Sequence, residues 1–305
     1  MRRLVLAFVL SLPFPAAASC RVGHVADAPF EFIDGYVFVP VSMNGTQGSF
    51  LLDTGASQSM ADSTFAARAG IGIDARAGRF IWGGAGNRST LPGYLGHVRI
   101  TQIGDLRFQD WEYGILDLGW MVRGNSRVDG ILGVDFLRYF DAAIDVPRRI
   151  FSIYRVTGCD GIAPPDWKGD YDAIPLKHTP DHNLTLPVFV DNTFLTIELD
   201  TGAGHNVLLT RDAAAKAGVD QAALALDVDN QGNGVGGTFH VAHHRFGQFL
   251  VGSNVYDHPV LAVENERRAG WETDGLMGLG PLQAQRLWIS FSTNTLFVQR
   301  ANQAK

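Results

Sequence analysis

Phe50-Leu51-Leu52-Asp53-Thr54-Gly55-Ala56-Ser57 decides the fold. An apolar run delivers a carboxylate to a turn made of a β-branched hydroxyl residue and a glycine. Singly, such a tripeptide is an ordinary loop, because glycine permits any tight turn. The device returns 147 positions on, as Ile197-Glu198-Leu199-Asp200-Thr201-Gly202-Ala203-Gly204. Two carboxylates, each closing an apolar strand and opening the same tripeptide, point to a paired-carboxylate site shared between two half-molecules.

The surroundings of the two stretches repeat as well. Upstream, strand-like runs from Tyr36 to Val41 and Ser49 to Leu52 flank Asn44-Gly45, a strong hairpin signal. Runs from Leu186 to Val190 and Phe194 to Leu199 flank Asp191-Asn192 in the same way. Pro40 and Pro187 share the offset and remove a ladder donor, so each is expected at a strand edge or bulge. Downstream, Asp62 caps a predicted helix stopped by Gly70, and Thr210 caps one stopped by Gly218. A glycine-rich loop follows in each half, Gly83-Gly84-Ala85-Gly86 and Gly232-Asn233-Gly234-Val235-Gly236-Gly237, leading into strand-like sequence from Tyr94 to Ile100 and from Thr238 to Val251. Last come Asp129-Gly130-Ile131-Leu132-Gly133 and Asp274-Gly275-Leu276-Met277-Gly278. Features recurring in one order at nearly one offset make each half one structural unit.

The bulk numbers fit two such units. The chain has 305 residues, 46% of them apolar, enough for two domains of about 120–150 residues with ordinary cores. A net charge of −6 argues against nucleic acid as a partner. Residues 1–19 read as an export signal: Arg2 and Arg3, an apolar core from Leu4 to Leu10, then Ala16-Ala17-Ala18. That stretch is too short to span a bilayer, and no later apolar run reaches spanning length. The expected organisation is therefore a signal at 1–19, one lobe at 20–156, a connector at 157–180 and a second lobe at 181–305. Cys20 and Cys159 are the two cysteines. In an exported chain they are candidates for a disulfide pinning the N-terminus to the connector. The competing reading makes Cys20 a lipidated N-terminus.

Taken together, these motifs resemble the aspartic peptidases. Asp-Thr-Gly-Ala and the later pairing of two apolar residues with glycine resemble the retropepsin-like branch, whose retroviral enzymes are homodimers. One chain here carries both copies, the two-lobed arrangement of pepsin-like enzymes. The resemblance implies a mainly β fold of two homologous barrel-like lobes with short helices and a central cleft. It implies a monomer with internal pseudo-two-fold symmetry, needing no metal or organic cofactor, that hydrolyses peptide or protein substrate between Asp53 and Asp200. A catalytically inactive peptide-binding module of the same fold is the alternative.

The chemistry gives each neighbour a role. Two carboxylates held ~3 Å apart cannot both ionise, so they share a proton. The ionised member takes a proton from a water between them while the protonated member donates to the scissile carbonyl. Gly55 and Gly202 let the loops approach closely. By resemblance, Thr54 and Thr201 bond across to the opposite loop. The Ile131-Leu132-Gly133 and Leu276-Met277-Gly278 segments are expected to pack beneath the turns. Ala56 and Ala203 stand where pepsin has a hydroxyl that stabilises the ionised pair, so the expected optimum is only mildly acidic. Trp82, Gly83, Gly84, Gly86, Gly234, Gly236 and Gly237 are flap candidates, with Tyr94 a second aromatic choice.

Other polar residues read as structural. His240, His243 and His244 on a strand do not converge as metal ligands. Asp129 and Asp274 are expected to accept backbone N–H groups from the following turn. Asp145 has Ser290 as its counterpart and so is not a shared catalytic group. His205, five residues after Asp200, is placed either in the cleft or in lobe packing.

Overall fold

The computed structural model describes residues 20–74, 76–83, 90–118, 121–123, 126–159, 167–204, 207–234, 236–264 and 272–300. Residues 1–19, expected to be an export signal, lie outside the described residues, as do Gly84, Gly86 and His205. No helix among the described residues is long and apolar enough to cross a membrane.

Each half is built on a hairpin whose second strand carries the aspartate. Tyr36–Met43 turns through Asn44 (φ 51°) and Gly45 (φ 90°) into Thr46–Leu52. Leu184–Val190 turns through Asp191 (φ 47°) and Asn192 (φ 65°) into Thr193–Leu199. Two consecutive left-handed residues are what a two-residue hairpin matched to strand twist requires, and Asn, Asp and Gly tolerate that conformation best. On its other side each aspartate-bearing strand pairs in parallel with the Asp-Gly-apolar segment. Ile131 lies opposite Leu51, and Leu276 opposite Glu198. Alternation sends Phe50 and Leu52, and likewise Ile197 and Leu199, into the core.

The two prolines fall where no donor is needed. Beside Tyr36–Met43, one neighbour pairs through residues 36–38 and another through 42–43, leaving Pro40 in the gap. Pro187 lies in the corresponding gap, between the pairings of Leu184 and Thr185 and those of Phe189 and Val190.

The caps form as the sequence predicts. Asp62 accepts from Thr64 and Phe65 N–H at the start of helix Ser63–Arg68, and Thr210 accepts from Ala213 N–H at the start of Arg211–Lys216. One expected element is different. The run from Thr238 to Val251 is two strands, Gly237–Arg245 and Gln248–Val251, interrupted at Phe246-Gly247. The first pairs with Val260–Glu264 and the second with the aspartate hairpin, so the chain changes partners at the break.

A six-stranded sheet joins the halves. Its spatial order is Arg21–Pro29, Ile150–Thr157, Asp141–Asp145, Arg286–Ser290, Thr295–Gln299, Tyr171–Pro175, three strands from each side of the duplication. The halves meet where Ala143 pairs with Trp288. Buried Asp141 accepts from Trp288 Nε1 (3.0 Å), Ser290 Oγ (2.6 Å) and the Ser292 N–H (3.0 Å), fixing that junction with charge-assisted bonds. Tyr171–Pro175 lies within the stretch expected as a connector, so part of the link is a sheet strand. Cys20 and Cys159 form a disulfide that ties the first described residue to the end of the first half.

Candidate active site

The parallel pairing positions the turns. As the apolar strand ends, Asp53 N–H donates to Leu132 O (3.0 Å) and Asp200 N–H to Met277 O (2.9 Å). Each aspartate then closes its own turn: Gly55 N–H donates to Asp53 Oδ1 and Gly202 N–H to Asp200 Oδ1, both at 2.9 Å. The expected support segments therefore lie against the turns through both backbone bonds and packing. A Cβ on Gly133 would stand 2.6 Å from Ala56 O, and one on Gly278 2.1 Å from Gly204 O, so only glycine passes there.

Thr54 and Thr201 interlock the two turns, both completely buried. Thr54 N–H donates to Thr201 Oγ1 (3.0 Å), whose hydroxyl donates to Leu52 O (2.6 Å). Reciprocally, Thr201 N–H donates to Thr54 Oγ1 (3.1 Å), whose hydroxyl donates to Leu199 O (2.5 Å). Each hydroxyl donates its one proton to a carbonyl of the opposite half and accepts an N–H from that same half, so the spacing of the turns is over-determined.

The interlock brings the carboxyl groups together. A Cβ on Gly55 would be 2.5 Å from Asp200 Cγ, and one on Gly202 2.4 Å from Asp53 Cγ. Each carboxyl thus lies over the opposite glycine. Asp200 is hydrogen-bonded to Asp53, and its proton affinity is raised well above the ordinary carboxylate value. Burial is the largest cause, followed by the charges of Asp53 and then Glu198, with the Gly202 N–H opposing.

Residues 39–136 and 186–280 match the aspartyl protease family, one match over each copy of the repeat and more than half the chain in total. The chain belongs to that family. A solved structure, the aspartic proteinase from Irpex lacteus, is similar in fold at 15% sequence identity, with 92% of this chain and 98% of that chain covered and a TM-score of 0.53. A search of curated proteins returns no match.

On this aspartyl protease scaffold the described flap candidates, Trp82, Gly83, Gly234, Gly236 and Gly237, sit in two strand pairs. Phe80–Gly83 pairs with the start of the long strand Thr90–Ile103, Trp82 opposite Leu91. Trp82 packs over Gly93 and Gly114, where any Cβ would meet its ring, and its Nε1 donates to Gln58 Oε1 at 2.6 Å. It is the inward aromatic of the strand pair. Tyr94 is on the other face and exposed. In the second half Val228–Gly234 pairs with Gly237–Arg245, with Gly234, Gly236 and Gly237 at the tip.

Asp129 and Asp274 correct an expectation. Their carboxylates accept not from the following turn but from the aspartate-bearing strand: Ser49 N–H to Asp129 Oδ2 (3.0 Å) and Thr196 N–H to Asp274 Oδ2 (2.9 Å). Arg68 and Lys216, at the ends of the equivalent helices, bind the other oxygen of each. The strands lie closer to these carboxylates than their own turns, which sequence order could not reveal. The three histidines bond apart, His240 to Asp229, His243 to Asn230 and His244 to Asp227. Asp145 faces Arg286 and Arg148 at the sheet junction, away from the dyad.

The sequence reading missed Glu198 and Asn183. Glu198 is half-buried on the strand leading to Asp200, and Asn183 Nδ2 donates to its Oε1 (2.7 Å) and to the Gly55 carbonyl across the interface (3.1 Å). Burial pushes the Glu198 carboxyl up to about 7; the Asn183 bond offsets part of that, and the charges of Asp53 and Asp181 add to it. The available signal was a broken repeat, a glutamate where the first half has Leu51.

Proposed function

We propose that this aspartyl protease family member is an active endopeptidase that hydrolyses peptide bonds with a water held between Asp53 and Asp200. Asp200 holds the shared proton and donates it to the scissile carbonyl oxygen, and the Asp53 carboxylate takes a proton from the attacking water. The tetrahedral intermediate collapses as the leaving nitrogen is protonated, with no covalent bond to the enzyme. The observation that carries the reading is the reciprocal seating of each carboxyl over the opposite glycine, with Asp53 hydrogen-bonded to Asp200.

Substrate binds as an extended strand in the cleft between the halves, held by main-chain hydrogen bonds with apolar side chains flanking the cut. Both turns come from one chain, which supports a monomer as the working unit. The Cys20–Cys159 bond supports an exported protein in an oxidising compartment.

The test is mass-spectrometric detection of cuts in denatured casein and a peptide library between pH 3 and 8. Cleavage blocked by a statine-type inhibitor and absent in Asp53→Asn is expected. Peptide binding without turnover at any pH overturns the reading in favour of a binding module.

A further inference from the structure

The two halves obey one plan until it reaches the residue two before each aspartate. Ile131 pairs with Leu51 and Leu276 with Glu198, so Leu51 and Glu198 are structural equivalents. Leu51 is buried in an apolar cluster with Phe38, Met60 and Ile131. Glu198 places a carboxyl in the equivalent position beside the dyad. Strand alternation puts it on the same face as Asp200, about 7 Å along the chain.

Asn183 turns that position into a link between the halves. Its amide nitrogen is a double donor, to Glu198 Oε1 and to the carbonyl of Gly55 in the Asp53 turn. A carbonyl only accepts, so the nitrogen end of the amide must face the pair. Asn183 is itself fixed by a short turn, its N–H donating to Thr179 Oγ1 (3.1 Å) and its carbonyl accepting from the Thr179 N–H (2.9 Å). Glu198 is thus tied to the turn of the opposite half as well as to its own strand.

The charges facing Glu198 are nearly all negative. Asp53 and Asp200 lie on the turns and Asp181 on the loop before Leu184–Val190. Across the sheet, Thr185 lies opposite Glu198 and Lys177 opposite Thr185, with Lys177 exposed at the far side. His178 bonds Asn294 and the His182 carbonyl; His182 is exposed on the same loop as Asp181. The segment paired on the other side offers Leu276, which carries no charge.

We propose that Glu198, held by Asn183, is a third carboxyl of the active site, a positioning residue whose negative charge keeps the shared proton on Asp53 and Asp200 toward neutral pH. This rests on the endopeptidase reading and extends it to the pH range of activity. The singly protonated dyad is the working form. Glu198 gains its charge only as pH nears 7, and there the anion disfavours loss of the dyad's last proton, so the alkaline limb of activity lies higher with Glu198 than without it.

The test compares kcat/KM against pH for the wild type, Glu198→Gln and Glu198→Leu, the latter restoring the residue found in the first half. A unit charge at about 7 Å, in a medium between protein surface and water, moves a carboxyl by about one pH unit. Because Glu198 is only partly ionised below about 7, both variants should move the alkaline limb down by up to that amount and leave the acid limb, where Glu198 is neutral, in place. Urea unfolding gives a readout independent of turnover. Glu198 is raised above its ordinary value in the folded state, so the wild type loses stability as pH rises from about 4.5 through about 7. Glu198→Gln should gain unfolding midpoint relative to wild type between pH 4 and pH 8. An alkaline limb unmoved in both variants of an active enzyme, or a midpoint difference that is flat with pH, overturns the proposal alone. A wild type without turnover at any pH overturns the endopeptidase reading and this one with it.

Discussion

Thr201→Val isolates the interlock that sets the distance between the two aspartate turns. Valine keeps the shape of threonine and removes one hydroxyl. That hydroxyl accepts from Thr54 N–H and donates to Leu52 O, with both threonines completely buried. The substitution leaves a donor and an acceptor unpaired away from water, at about 1–3 kcal/mol each. The expected loss is therefore about 2–6 kcal/mol, a large share of the roughly 5–15 kcal/mol that holds a domain folded. The reciprocal pair, made by the Thr54 hydroxyl to Leu199 O and from Thr201 N–H, survives in the variant, so the halves stay docked. Thr201→Ser keeps both bonds, deletes one methyl, and should cost about 1 kcal/mol. Urea unfolding of the three proteins, followed by tryptophan fluorescence, reads the difference directly. Equal midpoints for Thr201→Val and Thr201→Ser would refute the interlock as a source of stability.

Other consequences are as specific. Gly202→Ala puts a Cβ 2.4 Å from Asp53 Cγ and must displace that carboxyl; kcat/KM should fall on the order of 100-fold while circular dichroism stays unchanged. Activity should peak at mildly acidic pH, because the raised proton affinity of Asp200 retains the shared proton above the ordinary carboxylate range; a strongly acidic optimum in the pH–rate profile contradicts this. Cys20→Ser with Cys159→Ser opens a bridge between residues 139 apart and should lower unfolding free energy by about 2–4 kcal/mol; an unchanged urea midpoint would count against the bridge.

Much of this site was legible because the duplication is written in local signals. Turn residues, caps and apolar runs act over a few positions, and each occurs twice. Asp53, Asp200 and their threonines could be named from that repetition before any geometry was known. What stayed hidden depends on strands distant in sequence. Arg21–Pro29, Asp141–Asp145 and Arg286–Ser290 become a shared sheet only by pairing with partners over 100 residues away or across the halves, and nothing local marks that. The carboxylates of Asp129 and Asp274 were read against their nearest turn, although the acceptor-seeking N–H groups of Ser49 and Thr196 lie closer in space. Glu198 was visible as a departure from Leu51. Its meaning needed Asn183, which reaches it from a neighbouring strand's approach loop and touches the other half.

The central claim is that Asp53 and Asp200 act as one proton-sharing unit. Groups that act as a unit lose their effect together, so single and double substitutions should cost the same. The decisive measurement is kcat/KM for Asp53→Asn, Asp200→Asn and the double variant, each confirmed folded. The account predicts all three are down at least about 1000-fold and indistinguishable from one another. A single variant that keeps a tenth of wild-type activity, or losses that add in the double variant, would contradict it.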